Sequence, residues 1–173
     1  MSATWRHLAS RFFGSLRPGG PPPPDEAWAT SLLLPDELAL WRRMSGPDRR
    51  HAVGVARRTE SALPPPVARP ILAAALLHDV GKVSSGLGPL RRALATLAGM
   101  AVSHDTAVGW QARPGPLGRA GRYLCHDTIG ADLLAAAGSD LLTVAWAREH
   151  HLPPDRWTVP RPVGEALKLA DDD

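Results

Sequence analysis

The sequence has a single cysteine, Cys125, among 173 residues, and it has no apolar run long enough to cross a membrane. One cysteine excludes an internal disulfide framework and a cysteine-rich zinc site, and it fits a reducing compartment. A membrane-spanning helix needs about 20 consecutive apolar residues, a length that no segment of this chain approaches. We therefore expect a protein of the cytoplasm.

The chain also has no net charge outside its first 24 residues. Residues 1–24 contain three arginines and no acidic residue, whereas residues 25–173 contain 17 basic and 17 acidic side chains. A neutral body lacks the broad basic surface that a duplex-binding domain needs, so there is no strong nucleic-acid signal. Apolar residues make up 44% of the chain, which is enough for one buried core.

The first 24 residues form a separate unit in this interpretation. Between residues 3 and 16 the apolar side chains recur every three or four positions, which predicts one face of an amphipathic helix: Trp5, Leu8, Ala9, Phe12 and Leu16. Arginines interrupt this segment, which excludes a secretory signal. The Pro- and Gly-rich stretch 18–24 predicts a non-helical, semi-rigid spacer. Two alternatives stay open for residues 3–16: packing on the body or fraying, and peripheral contact with a membrane surface or a partner protein.

From residue 25 to residue 173 the pattern is one helix after another, so we predict a single all-α domain. Three prolines stand where the first residue of a helix would be: Pro35, Pro47 and Pro70. The segment 71–77 is apolar on every side and predicts a buried helix. Gly138 closes an expected helix over 127–137, and Ser139 is the expected cap of the next one. No segment alternates between polar and apolar residues as a strand would.

Two stretches do not fit this helical pattern. Residues 84–90 predict a small glycine-containing loop. Residues 103–122 contain four glycines and two prolines, which predicts a long and mobile connection. Loops of that length inside a compact domain are often functional.

Histidine and aspartate at the ends of the expected helices are the candidate functional residues. Five of the seven histidines lie there: His51, His78, His126, His150 and His151. His78 and Asp79 directly follow the apolar segment 71–77, so both are expected in the interior, where an unpaired carboxylate is costly. A bound cation would remove this cost, and imidazole with carboxylate suits Mn, Fe, Co, Ni or Zn. The alternative is a helix that simply ends in polar residues, since a single histidine is more often structural than a ligand.

The order and spacing of these residues resemble the HD superfamily of metal-dependent phosphohydrolases. His51 is followed by His78-Asp79-Val80-Gly81-Lys82, then by His126, His150-His151 and Asp171. The His-Asp-x-Gly-Lys segment is similar to that of HD-GYP phosphodiesterases and of di-iron diadenosine-tetraphosphate hydrolases. Residues 126–131 resemble the His-x-x-x-Gly-Ala segment of both groups, and 170–171 resemble the Ala-Asp of their last helix.

The resemblance implies a helical HD-domain bundle over residues 25–173 with two divalent metal ions, drawn from Mn, Fe, Co, Ni and Zn. The implied ligands are seven side chains: His51, His78, Asp79, His126, His150, His151 and Asp171. Asp79 would be shared by the ions and Lys82 would neutralise charge on a phosphoryl group, so these two are the expected catalytic residues. The expected substrate-binding residues are Lys82, His151 and Arg122. The implied activity is hydrolysis of a nucleotide or another small phosphate ester, as a phosphomonoesterase or a phosphodiesterase.

Two departures from the family pattern narrow this expectation. Residues 152–157 read Leu-Pro-Pro-Asp-Arg-Trp where HD-GYP proteins carry their Gly-Tyr-Pro signature, which argues against recognition of cyclic di-GMP. Pro47 stands where three-metal members have a glutamate, which argues against a third ion.

Two other functions stay open: a regulatory module that binds metal or nucleotide and signals through a partner, and an RNA-directed nuclease, which the neutral body disfavours. Four arginines either grip substrate phosphates or are solvated: Arg113, Arg119, Arg122 and Arg148.

Overall fold

The computed structural model describes residues 19–172, and within these bounds it consists of ten α-helices and two short 3₁₀ helices, without a strand. The prediction of one all-α domain is thus confirmed. None of the helices between residues 19 and 172 has both the length and the apolar character needed to cross a membrane. The amphipathic segment predicted over 3–16 lies outside the described residues.

The helices follow one another with short connections. In chain order they are α1 (Pro23–Ser31), α2 (Pro35–Arg43), α3 (Gly46–Ala62), α4 (Arg69–Leu77), α5 (Pro89–Gly99), α6 (His104–Gln111), α7 (Gly115–Leu124), α8 (His126–Ala136), α9 (Leu141–Glu149) and α10 (Arg161–Asp172). The two 3₁₀ helices span Val80–Ser84 and Pro154–Arg156.

Local chemistry explains where several helices begin. The Oγ of Ser45 accepts a hydrogen bond from the amide of Asp48 and so caps α3. Asp140, and not Ser139 as predicted, caps α9, because its carboxylate accepts a bond from the amide of Leu142 at 2.9 Å. The spacer prediction was wrong at its end, since Pro23 and Pro24 are the first two residues of α1. Proline is tolerated there because the first amides of a helix have no intrahelical partner.

The predicted buried helix is α4, which packs between α3 and α9. All six residues from Leu72 to Leu77 are buried. The largest side chains around it come from four other helices: Trp41, Leu134, Trp146 and Leu167. Because α4 ends inside this core, the next two residues, His78 and Asp79, are also buried.

The long mobile connection predicted over 103–122 was wrong, because this stretch forms α6 and most of α7. Ser103 caps α6 through the amide of Thr106. The glycines that suggested a loop allow two helices to touch: a Cβ at Gly121 would lie 2.7 Å from the Gln111 amide nitrogen and 2.8 Å from the Ala107 oxygen. The smaller loop predicted over 84–90 is present as residues 85–88.

Gly81 makes the contact that joins the two halves of the candidate site. It lies in the 3₁₀ helix Val80–Ser84, which packs on α8. A Cβ at this position would lie 1.9 Å from the carbonyl oxygen of His126 and 2.6 Å from the amide nitrogen of Gly130. Only glycine therefore lets the segment after Asp79 approach the start of α8 so closely.

Replacing Gly81 by alanine should lower the free energy of unfolding by about 1–3 kcal/mol or more, because backbone atoms cannot give way cheaply. Gly109→Ala is the matched control, since position 109 lies inside α6 and a methyl group added there would meet no atom within 4 Å apart from its chain neighbours and the backbone of its own helix. That change should instead stabilise the protein by up to about 1 kcal/mol through helix propensity. Urea unfolding of both variants measures the difference, and equal effects would contradict the close contact.

Candidate metal centre

All seven implied ligands lie in one linked cluster. His51 comes from α3, His78 and Asp79 follow α4, and Asp171 lies near the end of α10. His126 opens α8, while His150 and His151 follow α9. Helices that are distant in sequence thus bring histidines and carboxylates to one point, and only His51 and His151 of the seven are not buried.

Asp79 stands at the centre of this cluster. Its Oδ1 lies 3.1 Å from Nε2 of His126 and 3.9 Å from Nε2 of His150. Its Oδ2 lies 3.5 Å from Nε2 of His78 and also contacts the ammonium group of Lys82. The two oxygens of one carboxylate therefore face two different groups of histidines.

Asp171 closes the other side of the cluster. Its Oδ1 lies 3.0 Å from Nε2 of His51 and 3.5 Å from Nε2 of His78. The imidazole of His78 is consequently placed between the carboxylates of Asp79 and Asp171. Asp172, the next residue of α10, is exposed and accepts a hydrogen bond from Lys168 at 3.0 Å.

Three imidazoles are held in the same way by backbone carbonyl groups. The Nδ1 of His78, His126 and His150 lies 2.9, 2.8 and 2.9 Å from the carbonyl oxygen three residues earlier, which belongs to Ala75, Tyr123 and Ala147. A carbonyl oxygen only accepts, so Nδ1 carries the hydrogen in each ring. In the neutral ring the Nε2 lone pair then points into the cluster, which is how metal-ligating histidines are commonly oriented.

Two of these three lone pairs lack a hydrogen-bond partner. Nε2 of His78 and of His150 are buried without one among the described residues. A neutral Nε2 and a carboxylate oxygen both accept hydrogen bonds, so they cannot satisfy each other. Positive charge between them removes the conflict: a proton on Nε2 of His78 supplies it, since the neighbouring carboxylates raise the pKa of that ring, and a divalent cation that displaces the proton supplies it too. The donor set therefore fits a transition metal.

The potential ligand atoms divide into two groups, and within each group they lie within 4.8 Å of one another. One group is His51, His78 and Asp79, and the other is His126, His150 and His151. Oδ1 of Asp79 faces the second group while Oδ2 faces the first. The buried histidine and aspartate cluster can hold metal ions, and Asp79 is placed to be shared between the two groups.

The carboxylates make the first group strongly attractive to positive charge. Burial by itself would lower the pKa of His78, but Asp79 and Asp171 outweigh it and raise the pKa of His78 to about 10. Burial likewise opposes ionisation of Asp79, yet Lys82 and His78 hold the pKa of that carboxyl well below its usual range. The pKa of Lys82 is raised, since Asp79 overcomes the effect of burial. Asp79 and Lys82 are therefore both charged.

In the second group His150 and His151 favour the neutral imidazole. Burial lowers the pKa of His150 well below its ordinary value, and the neighbouring His151 lowers it further. Withdrawal from water and the nearby His126 lower the pKa of His151 to about 4. His151 is nevertheless the exposed member of this group, so it marks the side on which the cluster meets solvent. Neutral rings are the protonation state that metal binding requires.

The three residues predicted to bind substrate lie at different distances from the centre of the cluster. Lys82 touches the central carboxylate of Asp79, and His151 stands at the rim with its Nε2 3.2 Å from that of His126. Arg122 donates from Nε to the carbonyl of Ser84 and from Nη1 to that of Gln111. It therefore ties α7 to the 3₁₀ helix after Asp79, and its contact with substrate stays a prediction.

Sequence reasoning missed two residues that support the cluster. Nε and Nη2 of Arg58 donate to the carbonyl of Ala170 at 2.9 and 2.7 Å, which fixes the backbone next to Asp171. Arg58 lies seven residues after His51 on α3, so helical periodicity could have placed both on one face. Tyr123 stacks on His126, with ring centroids 5.8 Å apart. No sequence signal pointed to Tyr123.

Adding Mn²⁺ to metal-stripped protein should raise Tm, because an ion that binds only the folded state stabilises it. At about a hundred times its Kd, the ion adds about 2.7 kcal/mol, or about 5–10 °C for a domain of this size. His151→Ala should reduce the shift, whereas His104→Ala should preserve it. Both histidines are exposed, but only His151 belongs to the cluster. Equal shifts in the two variants would contradict the assignment of the cluster as the metal site.

Asp171→Asn should weaken metal binding at least about tenfold, because the centre loses one of its two carboxylate charges. Asp172→Asn is the neighbouring control and should leave metal affinity unchanged, since its carboxylate pairs with Lys168 at the surface. Titration with Mn²⁺ followed by calorimetry measures both. If the two variants bind alike, Asp171 is not a ligand.

A scan against protein-family models and searches of the curated proteins and of the solved structures gave no match for this chain. The all-helical fold and the buried histidine and aspartate cluster are compatible with the HD domain that the sequence resembles.

Proposed function

We propose that this protein is a metal-dependent phosphohydrolase of the HD type that acts on a nucleotide or another small phosphate ester. The observation that carries the proposal is the position of Asp79, whose two oxygens face two groups of histidines while Lys82 contacts the same carboxylate. Paired ligand groups beside a fixed ammonium group suit a reaction in which negative charge develops on phosphoryl oxygens.

The residues that would hold the metal are the two groups already described, with Asp171 completing the first. Bound divalent ions would supply an activated water and a positive charge for the phosphoryl oxygens. Imidazole ligands and two carboxylates favour Mn, Fe, Co, Ni or Zn over calcium. The hydrogen bonds from Nδ1 of His78, His126 and His150 would keep the rings oriented before substrate arrives.

In this proposal Lys82 binds the phosphoryl group. It is only partly buried, and its pKa is raised, so its ammonium group stays charged next to Asp79. A phosphate that approaches past the exposed His151 would meet this fixed charge without any rearrangement of the protein. His151 and Lys82 would then orient the substrate, while the buried ligands stay in place.

Lys82→Ala should separate turnover from metal binding. Loss of the ammonium group should lower turnover on the order of tenfold or more, equivalent to about 1.4 kcal/mol, while metal content stays. Asp79→Ala should lose both metal and activity. Lys168→Ala is the matched control, because Lys168 is the only other lysine and lies at the surface with Asp172. The assay is release of p-nitrophenol from its phosphate mono- and diesters, with phosphate release from nucleotides.

Two results would contradict this proposal. Metal-loaded wild-type protein that binds nucleotides but hydrolyses none of these esters would support the regulatory module instead. Full turnover in Lys82→Ala would show that the lysine serves only to pair with Asp79.

A further inference from the structure

Exposed apolar side chains are concentrated in one part of the described chain. Six of the eight large ones lie between residues 90 and 117, on α5, α6 and α7: Leu90, Leu94, Leu97, Met100, Val108 and Leu117. The other two are isolated, Leu141 at the start of α9 and Leu169 on α10. Single exposed apolar residues are normal, but a contiguous group indicates an interaction surface.

Helix α5 carries the centre of this group. Leu90, Leu94 and Leu97 are 64, 60 and 61% exposed and lie within about 60° of one another around the helix, while Met100 follows at 81%. The opposite face is fixed to the body: Ala95 is buried, and Nη1 of Arg92 donates to the carboxylate of Asp48 at 2.7 and 2.9 Å. The leucines therefore face water because the helix is anchored from behind.

The same part of the chain is basic although the body as a whole is neutral. Residues 88–124 contain five arginines and one aspartate, a formal charge of +4. The rest of the body, residues 25–87 and 125–173, carries 12 basic and 16 acidic side chains, a formal charge of −4. Arg91, Arg113 and Arg119 are exposed. Positive charge and exposed leucines thus occur together, on the module formed by α5, α6 and α7.

We propose that the leucine face of α5, formed by Leu90, Leu94, Leu97 and Met100, docks on an anionic membrane surface. Aliphatic side chains can insert between the headgroups, while the exposed arginines of the same module are attracted to the negative lipids. This combination is typical of helices that lie in the membrane interface. The proposal does not depend on the metal centre or on the proposed hydrolysis.

Charge and side-chain type favour lipid over the other possible occupants. Two copies of the chain meeting at this face would bring two positively charged modules together, which opposes self-association even though Arg92 is paired with Asp48. Surfaces for single-stranded nucleic acid rely on aromatic rings for base stacking, whereas the large exposed apolar side chains on α5 and directly after it are leucine and methionine. An anionic lipid surface satisfies both the apolar and the basic character.

The test is co-sedimentation of the full chain with vesicles. Vesicles of phosphatidylcholine in which about a third of the lipid is phosphatidylglycerol should bind the protein, and vesicles of phosphatidylcholine alone should bind it much less. Leu94→Ser/Leu97→Ser should lower the partition coefficient about tenfold or more, since two apolar side chains no longer insert. Leu141→Ser is the matched control, because Leu141 is 86% exposed outside this face. It should bind as wild type does.

A second pair of variants tests the charge. Arg91→Glu/Arg113→Glu should weaken binding and reduce its salt dependence, whereas Arg156→Glu, an exposed arginine outside the module, should have a much smaller effect. Unchanged melting curves would confirm that these surface variants fold. Equal binding by wild type and the double-leucine variant would overturn the proposal. A dimer in solution that the double-leucine variant dissolves, or RNA binding that it abolishes, would also overturn it.

Discussion

The hydrogen bonds from three imidazole Nδ1 groups to backbone carbonyls hold the candidate centre together. Each joins a histidine to the residue three positions earlier, so the local chain path fixes both the tautomer and the direction of the ring. Without these bonds the rings of His78, His126 and His150 could rotate and let water or a backbone group satisfy Nε2. With them, the Nε2 atoms converge on a buried carboxylate, an arrangement that is unfavourable until a proton or a metal cation lies between them.

The rest of the fold serves to keep this arrangement in place. The apolar helix α4 carries His78 and Asp79 into the core, and Gly81 lets the next turn lie against α8, which begins with His126. On the other side, Arg58 of α3 holds the carbonyl that precedes Asp171. The same helix also carries His51, so a single rigid element positions a ligand and supports the backbone of another. Burial of the centre makes each of these contacts matter more, because water cannot replace a lost partner.

The sequence predicted the helical architecture because periodicity and proline positions leave strong local signals. The apolar run 71–77 placed His78 and Asp79 in the interior, whereas the other members of the cluster were implied only by the resemblance to the HD superfamily. Residues 103–122 were misread because Gly118 and Gly121 resemble loop residues, whereas the structure uses them for close helix contact. The roles of Arg58 and Tyr123, and the choice of histidine tautomers, depend on distances between segments that are remote in sequence, which composition and spacing do not contain.

We propose that the inward Nε2 atoms form two adjacent metal sites that share Asp79. Anomalous scattering from crystals grown with Mn²⁺ tests it most directly. We expect two peaks about 3.5–4 Å apart, one beside His51 and His78 and one beside His126 and His150, with Asp79 between them. Peaks confined to the protein surface, or histidine rings turned so that Nδ1 faces the cluster, would contradict it.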